Sequence, residues 1–271
     1  MKVFENFATV DEDNSLAKTK EFICGTEYEI EDVKTCYSES GDNFSVHDDT
    51  QWYYYKNNKP MLGFLRDHSL RNNGIEVITA PVNFTDALTL FDVVHNQAVK
   101  IGNNNPYSHR TSIHVHVNVN PFTEAQLKQF ILLYALLEPV YFKLAGDQRK
   151  RNIHCVPLNF TMLPKHYGEI VGFNLVQVWS KYTAFNLLPI KTQGTIEFRH
   201  MFGHGDAKLY SEWLATIKAL WDFVATRPPL WLEDALVAGH DAHFIAEQVL
   251  GNPHTDLDFY TSTIDVKLAF V

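Results

Sequence analysis

The stretch Cys24-Gly25-Thr26-Glu27-Tyr28-Glu29-Ile30-Glu31 decides how the rest of the chain is interpreted. Read as a strand, it places Glu27, Glu29 and Glu31 on one face, because successive side chains point to opposite sides. Glutamate has a low strand propensity, and like charges that share a face repel each other. For this stretch alone two interpretations stay open. It is either a solvent-facing edge strand or a wall of carboxylates that binds divalent cations, since unpaired buried carboxylates are costly.

Composition limits the class of protein. The chain has 271 residues, of which 45% are hydrophobic and 13% aromatic, so it is globular and large enough for a sizeable core. Its formal net charge of −9 argues against nucleic acid or a membrane surface as a partner. Its three cysteines lack zinc-site spacing, and no apolar run reaches about 18 residues. The N-terminus shows no signal-peptide pattern, so we expect a cytoplasmic protein.

Three more stretches alternate between apolar and polar residues. Residues 75–81 form a β-branched run in which Glu76 points away from its neighbours. In residues 112–119, His114 and His116 face one way and the valines the other. In residues 195–201, Glu197 and Arg199 share a face. Each strand therefore has an apolar back and a front that carries groups able to bind a ligand.

Four such strands predict an α+β fold. We expect a curved, largely antiparallel sheet with a charged concave face and helices on its outer face. Helices are predicted from an N-cap at Thr85 to about Lys100, from a capping box at Thr123, over residues 166–179 and after an N-cap at Asp206. With no repeat or linker in view, we predict one domain over residues 1–271, with a loose arm at 1–20 and a helical part at 206–271.

The front residues favour a particular chemistry. Carboxylates with one or two imidazoles and no thiolate pair suit Mg²⁺ or Mn²⁺ better than structural zinc. Arg199, two residues from Glu197, could form a salt bridge or neutralise a phosphoryl group during transfer. The basic run at residues 149–151 is either a solvated loop or a source of phosphate or carboxylate contacts.

In their order along the chain, these motifs resemble the amidoligase family of ATP-dependent carboxylate–amine ligases, which are related to glutamine synthetase and γ-glutamylcysteine synthetase. The resemblance extends over residues 22–205. The motifs that carry it are Gly25-Thr26-Glu27-Tyr28-Glu29, Asp67-His68-Ser69-Leu70 with Gly74-Ile75-Glu76, His114-Val115-His116, and Gly194-Thr195-Ile196-Glu197-Phe198-Arg199, with Asn152, Cys155, Pro157, Lys181, Tyr182 and Asn186 between them.

The resemblance implies a role for each front residue. Glu27 and Glu29 would be ligands of different metal ions, with Glu76 and Asp67 at one ion and His114 and Glu197 at the other. His116 would contact ATP phosphates, and Arg199 the transferred γ-phosphoryl group. Further candidates for nucleotide contacts are Lys181 and Arg151. Arg199, Glu197 and Glu76 would be the catalytic residues.

The implied function is ATP-dependent formation of an amide or isopeptide bond through an acyl phosphate, with Mg²⁺ or Mn²⁺. The carboxylate and the amine would come from small molecules, peptides or proteins. Three alternatives stay open: a metal-dependent amide hydrolase, suggested by His114 and His116 with Glu76, a guanidino-type phosphotransferase, and a binding protein that retained the fold.

Overall fold

A computed structural model describes residues 19–38, 40–101, 106–158 and 179–251. The chain divides into two compact units. The first comprises Met1–Asn118 and Glu197–Ser211, and the second comprises Val119–Ile196 and Glu212–Val271. The prediction of a single domain stays a prediction. The helix predicted over residues 166–179 and most of the predicted N-terminal arm lie outside the described residues.

The strands of the structure include the four that the sequence predicted. In chain order they are β1 (Cys24–Ile30), β2 (Cys36–Tyr37), β3 (Asn43–Phe44), β4 (Gln51–Lys56), β5 (Lys59–Arg66), β6 (Ile75–Thr79), β7 (Ser112–Asn118), β8 (Phe185–Asn186) and β9 (Thr195–Phe202). β2 and β3 form a small hairpin of their own, and the other seven strands form the main antiparallel sheet. Its six strands in the first unit lie in the order β4-β5-β6-β1-β7-β9.

The register of β1 sets which side chains meet. Glu27 lies opposite Ile78 of β6 on one side and His114 of β7 on the other, and Glu29 lies opposite Glu76. Because partners in register share a face of a sheet, these side chains belong to one face. Tyr28, which alternates with them, belongs to the other. The pattern of carboxylates and imidazoles on one side and apolar residues on the other is therefore present in the structure.

A helix covers the apolar face in the first unit. Helix α1 (Phe84–Ile101) contacts β1 and β6. The ring of Phe91 lies 5.9 Å from that of Tyr28 and 4.4 Å from that of Tyr210. The sequence placed the helix correctly but not its cap. Asn83 Oδ1 accepts a hydrogen bond from the backbone N–H of Asp86, so the predicted cap, Thr85, lies inside the helix.

The second unit is mainly helical. Its longest helix, α2 (Glu124–Ala145), begins with the predicted capping box, in which Thr123 and Gln126 bond reciprocally to each other's backbone. A 3₁₀ helix (Asp147–Arg151) and the short helix α3 (Ile190–Gln193) follow. The aromatic ring of Tyr134 in α2 stacks at 3.8 Å on that of Phe185 in β8.

Three helices follow the last strand. They are α4 (Ala207–Thr226), α5 (Trp231–Val237) and α6 (Ala242–Leu250), and α5 and α6 contact α2. Asp206 caps α4 as predicted, since its Oδ1 accepts from the backbone N–H groups of Lys208 and Leu209. Among the residues that the structure describes, no helix combines the length and apolar character needed to cross a membrane. The α+β class, with an open antiparallel sheet and helices packed against it, is confirmed.

Candidate functional site

Three carboxylates converge at the ends of β1, β5 and β6. Glu29, Asp67 and Glu76 each offer an oxygen, and these oxygens all lie within 4.8 Å of one another. We call this set the carboxylate cluster. Among the described residues no lysine, arginine or histidine forms an ion pair with any of the three. Asp67 Oδ1 accepts a hydrogen bond from the backbone N–H of Ser69 at 2.8 Å, which holds that carboxylate in place.

The charge of the carboxylate cluster is uncompensated, and Glu76 shows the effect. Burial, and then the nearby charges of Glu27, Glu29 and other carboxylates, raises the pKa of Glu76 well above its ordinary value. The charged form of Glu76 is therefore unfavourable beside Glu29 and the other carboxylates. A divalent cation bound by the cluster would stabilise that charged form, because it neutralises the same negative charges.

The second group of ligands lies one strand away. Glu27, His114, His116 and Glu197 form what we call the histidine cluster, in which both imidazoles and Glu197 are buried. Glu27 is shared by the two rings, since its Oε2 lies 3.2 Å from His114 Nδ1 and its Oε1 lies 3.1 Å from His116 Nε2. Glu197 Oε1 lies 3.4 Å from His114 Nδ1 and 4.0 Å from His116 Nε2.

Hydrogen bonds through Ser112 fix the tautomer of His114. The hydroxyl of Ser112 lies 2.6 Å from Glu29 Oε2, and an ionised carboxylate only accepts, so the hydroxyl donates its one proton there. The same Oγ lies 2.7 Å from His114 Nε2 and must therefore accept from its N–H. In neutral His114 the lone pair is then on Nδ1, which faces oxygens of Glu27 and Glu197. Three lone pairs that converge repel one another unless a cation or a proton lies between them.

Electrostatics in the histidine cluster favours charge on both kinds of side chain. Burial alone would raise the pKa of Glu27, but the charge of His116 and the close contacts of both imidazoles hold that pKa well below its ordinary range. Burial alone would lower the pKa of His116, and the charge of Glu27 raises it instead. Glu27 therefore favours the charged form of the His116 imidazole.

Arg199 lies at the edge of the histidine cluster. It is partly buried, and its Nη1 donates to Glu197 Oε1. Burial opposes its charge, but Glu197 and then Glu27 raise its pKa above the ordinary value, so the guanidinium stays charged. One of its five N–H donors is used in this bond, and its planar fork can also bind two oxygens of an anion.

The remaining predicted contacts lie in the second unit. Arg151 ends the 3₁₀ helix and is exposed. Lys181 is also exposed, and its ammonium lies 5.1 Å from the centroid of the Tyr182 ring. The structure describes each unit separately, so the nucleotide contacts assigned to Lys181 and Arg151 stay predictions.

The structure also adds two residues to the sequence interpretation. Ser112 links Glu29 to His114, and only the spacing Ser-x-His at the start of β7 hints at this role. Glu31 was expected to share a face with Glu27 and Glu29. Instead β1 ends at Ile30, and the fully buried Glu31 accepts hydrogen bonds from the guanidinium of Arg71 at 2.7 and 3.1 Å. Glu31 is therefore a structural ion-pair partner.

The donors of both clusters fit hard divalent cations. Carboxylate oxygens are the ligands that Mg²⁺ prefers, and one or two imidazoles are compatible with Mg²⁺ or Mn²⁺. The three carboxylates whose oxygens converge, Glu29, Asp67 and Glu76, are residues that the family resemblance assigns to one ion. The other grouping contains Glu27, His116 and Glu197, with His114 Nδ1 at 3.4 Å or less from both carboxylates. The division of roles between the two histidines stays a prediction.

Comparison with known proteins identifies the family of the chain. The family described as "Putative amidoligase enzyme" matches residues 12–221, which include both clusters and Arg199. A search of curated proteins found no match to the chain. Because the family match extends over more than half of the 271 residues and includes every strand of the main sheet, the chain belongs to the amidoligase family.

Proposed function

We propose that the protein is an ATP-dependent carboxylate–amine ligase that forms an amide or isopeptide bond. One observation carries this proposal. The carboxylate cluster, the histidine cluster and the charged guanidinium of Arg199 lie together on one sheet face. A site that joins two anions, a carboxylate and a triphosphate, needs cations, since the two substrates repel each other. Arg199 is one such cation, and the two clusters would bind metal ions that supply the others.

Each cluster would hold one divalent cation, Mg²⁺ or Mn²⁺. Such cations screen the charges of the carboxylate substrate and of the ATP phosphates. Glu29, Asp67 and Glu76 would bind the first. Glu27, Glu197 and His114 would bind the second, and the hydroxyl of Ser112 would orient His114 through its Nε2–H. His116 would be directed to the ATP phosphates.

Arg199 would bind the γ-phosphoryl group. Glu197 accepts from one Nη1–H and so fixes the plane of the guanidinium. A planar guanidinium can bind two phosphoryl oxygens as charge moves during transfer. Arg199 would thus stabilise the transition state more than the bound nucleotide, and an effect on kcat is the expected signature.

The bond changes are those of acyl-phosphate chemistry. An oxygen of the substrate carboxylate forms a bond to the γ-phosphorus, and the bond from that phosphorus to the leaving ADP oxygen breaks. The amine nitrogen then bonds to the carbonyl carbon, the bond from that carbon to the phosphate oxygen breaks, and the amine releases a proton.

A covalent enzyme intermediate on cysteine is disfavoured. All three cysteines are buried and free of disulfides, and burial raises the pKa of Cys24 and of Cys36 to about 12. The thiols of Cys24 and Cys36 therefore stay protonated at neutral pH, and all three cysteines are shielded from substrate by burial. Free cysteines also accord with the cytoplasmic location that we propose.

Trapping of the intermediate tests the proposed reaction. The protein would be incubated with ATP, Mg²⁺, hydroxylamine and pools of amino acids or dipeptides, and ADP and hydroxamates would be measured by mass spectrometry. We expect ADP release that depends on an acid in the pool, with formation of the matching hydroxamate. The same assay is run on Glu29→Gln, which changes a proposed metal ligand. Glu247→Gln, a change at an exposed carboxylate of α6, serves as its control.

Three outcomes would contradict the proposal. Cleavage of amides without ATP would identify a metal-dependent hydrolase. Phosphorylation of the amine in place of the acid would identify a phosphotransferase. A protein that binds ATP and Mg²⁺ but releases no ADP with any acid and amine would be a binding protein that retained the fold.

A further inference from the structure

A second concave site lies in the first unit, away from the two clusters. It is a cavity of about 340 Å³ where the β2–β3 hairpin meets the ends of β5 and β6. This volume is within the range of small-molecule sites, which start at roughly 300 Å³. Because no catalytic role involves its lining, the cavity needs an explanation of its own.

The cavity lies on the face of the sheet opposite the clusters. Ile75, which lines it, precedes Glu76 in β6, and consecutive strand residues point to opposite faces. Arg66, which also lines it, is the register partner of Ile75, whereas the partner of Glu76 is Leu65. A ligand in this cavity would therefore be separate from anything bound at the carboxylate cluster.

The charges of the cavity are one-sided. Lys34 and Arg66 line it, and no carboxylate does, in a chain with a net charge of −9. In the described part of the protein neither residue forms an ion pair. Among the described residues, the guanidinium of Arg66 donates to two neutral oxygens, Asn73 Oδ1 at 3.2 Å and the Val46 carbonyl at 3.4 Å. Both bonds are long, so they leave most of the charge of Arg66 and several of its donors for another acceptor.

The remainder of the wall is mixed. Val33, Phe44, Val46 and Ile75 contribute hydrocarbon surface, and the ring of Phe44 is held at 3.5 Å against that of Tyr53. Uncharged polar residues lie between them, namely Thr35, Asn43, Ser45 and Asn73. A simple inorganic anion would satisfy the charges but leave this surface wet. A ligand that carries both an anionic end and an apolar body would use both parts.

We propose that this cavity binds a small organic carboxylate with an apolar body, of the size of an N-acylated aliphatic amino acid. Its carboxylate contacts Arg66 and Lys34, and its apolar part contacts Phe44, Val46 and Ile75. This proposal does not depend on the function proposed above, because the cavity shares no lining residue with either cluster.

Methyl NMR of the whole chain, without nucleotide or metal, tests the proposal. N-acetylleucine is the probe, and N-acetylleucinamide is the matched neutral compound. The Ile75 methyl signal, assigned with an Ile75→Val variant, reports the cavity. The Ile78 methyl reports the opposite face, because Ile78 lies in register with Glu27. We expect N-acetylleucine to shift Ile75 and not Ile78, and the amide to bind at least about tenfold more weakly.

Substitutions identify the groups that bind the carboxylate. Lys34 is exposed, so Lys34→Gln should fold normally and weaken probe binding by about tenfold. Arg66→Gln should weaken it at least as much. Lys20→Gln and Arg227→Gln, two exposed cations away from the cavity lining, are the matched controls and should bind like the unmodified protein.

The proposal is overturned by any of three results. The first is no Ile75 shift at about 10 mM probe, a concentration ten times a millimolar dissociation constant. The second is equal binding of the acid and the amide, and the third is unchanged binding in Lys34→Gln. Should Arg66→Gln not fold, Lys34→Gln and the acid–amide comparison still decide the question. Shifts confined to Ile78 would place the probe on the cluster face and would equally overturn it.

Discussion

Glu29 and Glu76 lie directly opposite each other in β1 and β6, with no cation paired to either among the described residues. Directly opposed like charges destabilise an antiparallel pair by up to about 1 kcal/mol. The protein thus retains an unfavourable contact between two neighbouring strands of its main sheet. Such a contact is explained when a ligand that binds only the folded state removes the repulsion.

Metal binding should therefore stabilise the protein. Glu29→Gln should separate the effect of the bound metal from the effect of the repulsion between Glu29 and Glu76. Mg²⁺ or Mn²⁺ should raise the melting temperature of the unmodified protein. Glu29→Gln should melt at a higher temperature than the unmodified protein in chelator and should lose most of the metal-dependent shift. Glu247→Gln is the control for the change of charge and should retain the full shift. A metal-independent melting temperature of the unmodified protein, with and without ATP, would remove the basis for both metal sites.

Ser112→Ala should weaken metal binding although Ser112 touches no ion in our assignment. Without the hydroxyl, His114 loses the acceptor that places its lone pair on Nδ1. Loss of such an orienting partner typically costs about 10- to 100-fold in metal affinity. Titration of Mn²⁺ followed by electron paramagnetic resonance measures this. Ser112→Thr retains a hydroxyl and should restore most of the affinity, and an equal loss in both variants would show that the hydroxyl is not the cause.

The two histidines should differ when each is replaced. His114→Ala should weaken metal binding, because its Nδ1 faces Glu27 and Glu197. His116→Ala should mainly raise the KM for ATP. Mn²⁺ titrations and steady-state kinetics on both variants separate the two effects. Equal loss of metal and nucleotide binding in both variants would show that this division of roles is wrong.

Arg199→Lys should fold normally and bind ATP within a few-fold, yet lose about a hundredfold in kcat. This loss corresponds to about 3 kcal/mol of transition-state stabilisation. Lysine preserves the charge beside Glu197 but cannot contact two phosphoryl oxygens with a planar fork. ADP release under saturating ATP measures the effect. Near-normal turnover would reduce Arg199 to a counter-charge for Glu197.

Glu138 in the second unit should make stability depend on pH. It is fully buried in α2, and its Oε1 accepts hydrogen bonds from the Tyr134 hydroxyl at 2.7 Å and the Leu158 N–H at 2.6 Å. Burial raises the pKa of Glu138 from 4.5 to about 8, against these hydrogen bonds. Between these two pH values the folded carboxyl retains a proton that the unfolded one has released. Stability from this group is therefore present below pH 4.5 and falls as pH rises to about 8.

Glu138→Gln should remove that dependence, because an amide accepts the same two hydrogen bonds and does not ionise. We expect the variant to be more stable than the unmodified protein at pH 8 by about 1–2 kcal/mol, or a few degrees in melting temperature, and to differ little at pH 5. Melting temperatures across pH 5 to 8 measure this, with Glu247→Gln as the control. Parallel pH profiles of Glu138→Gln and the unmodified protein would contradict the assignment.

Alternation along single strands made the sheet and most of the site predictable. The period of two in β1, β6, β7 and β9 is local, so the sequence alone assigned Glu27, Glu76 and His114 to one face. Contacts between distant residues were not predictable in the same way. The hydrogen bond between Ser112 and Glu29 joins residues far apart in sequence and depends on the register of β1 with β7.

The ends of strands and helices were the other features that the sequence did not predict correctly. The sequence continues the Glu-x-Glu-x-Glu pattern through Glu31, but Asp32 adopts a positive φ of 56° and turns the chain away. Arg71, forty residues on, then takes Glu31 into a buried ion pair. Likewise Asn83 and Thr85 are both plausible caps for α1, and only the backbone geometry selects Asn83.

The pairing of β1 with its two neighbours also constrains how this protein can diversify. One residue inserted into β1 would exchange the faces of Glu29 and Tyr28, and both clusters would be lost in a single event. The turn between β4 and β5 has no such restriction, because Asn57 and Asn58 supply the positive φ angles of a hairpin there and carry no site residue. We therefore expect related sequences to accumulate insertions and deletions at such turns while the length of β1 stays invariant, so that new substrates are acquired by remodelling loops around a fixed centre.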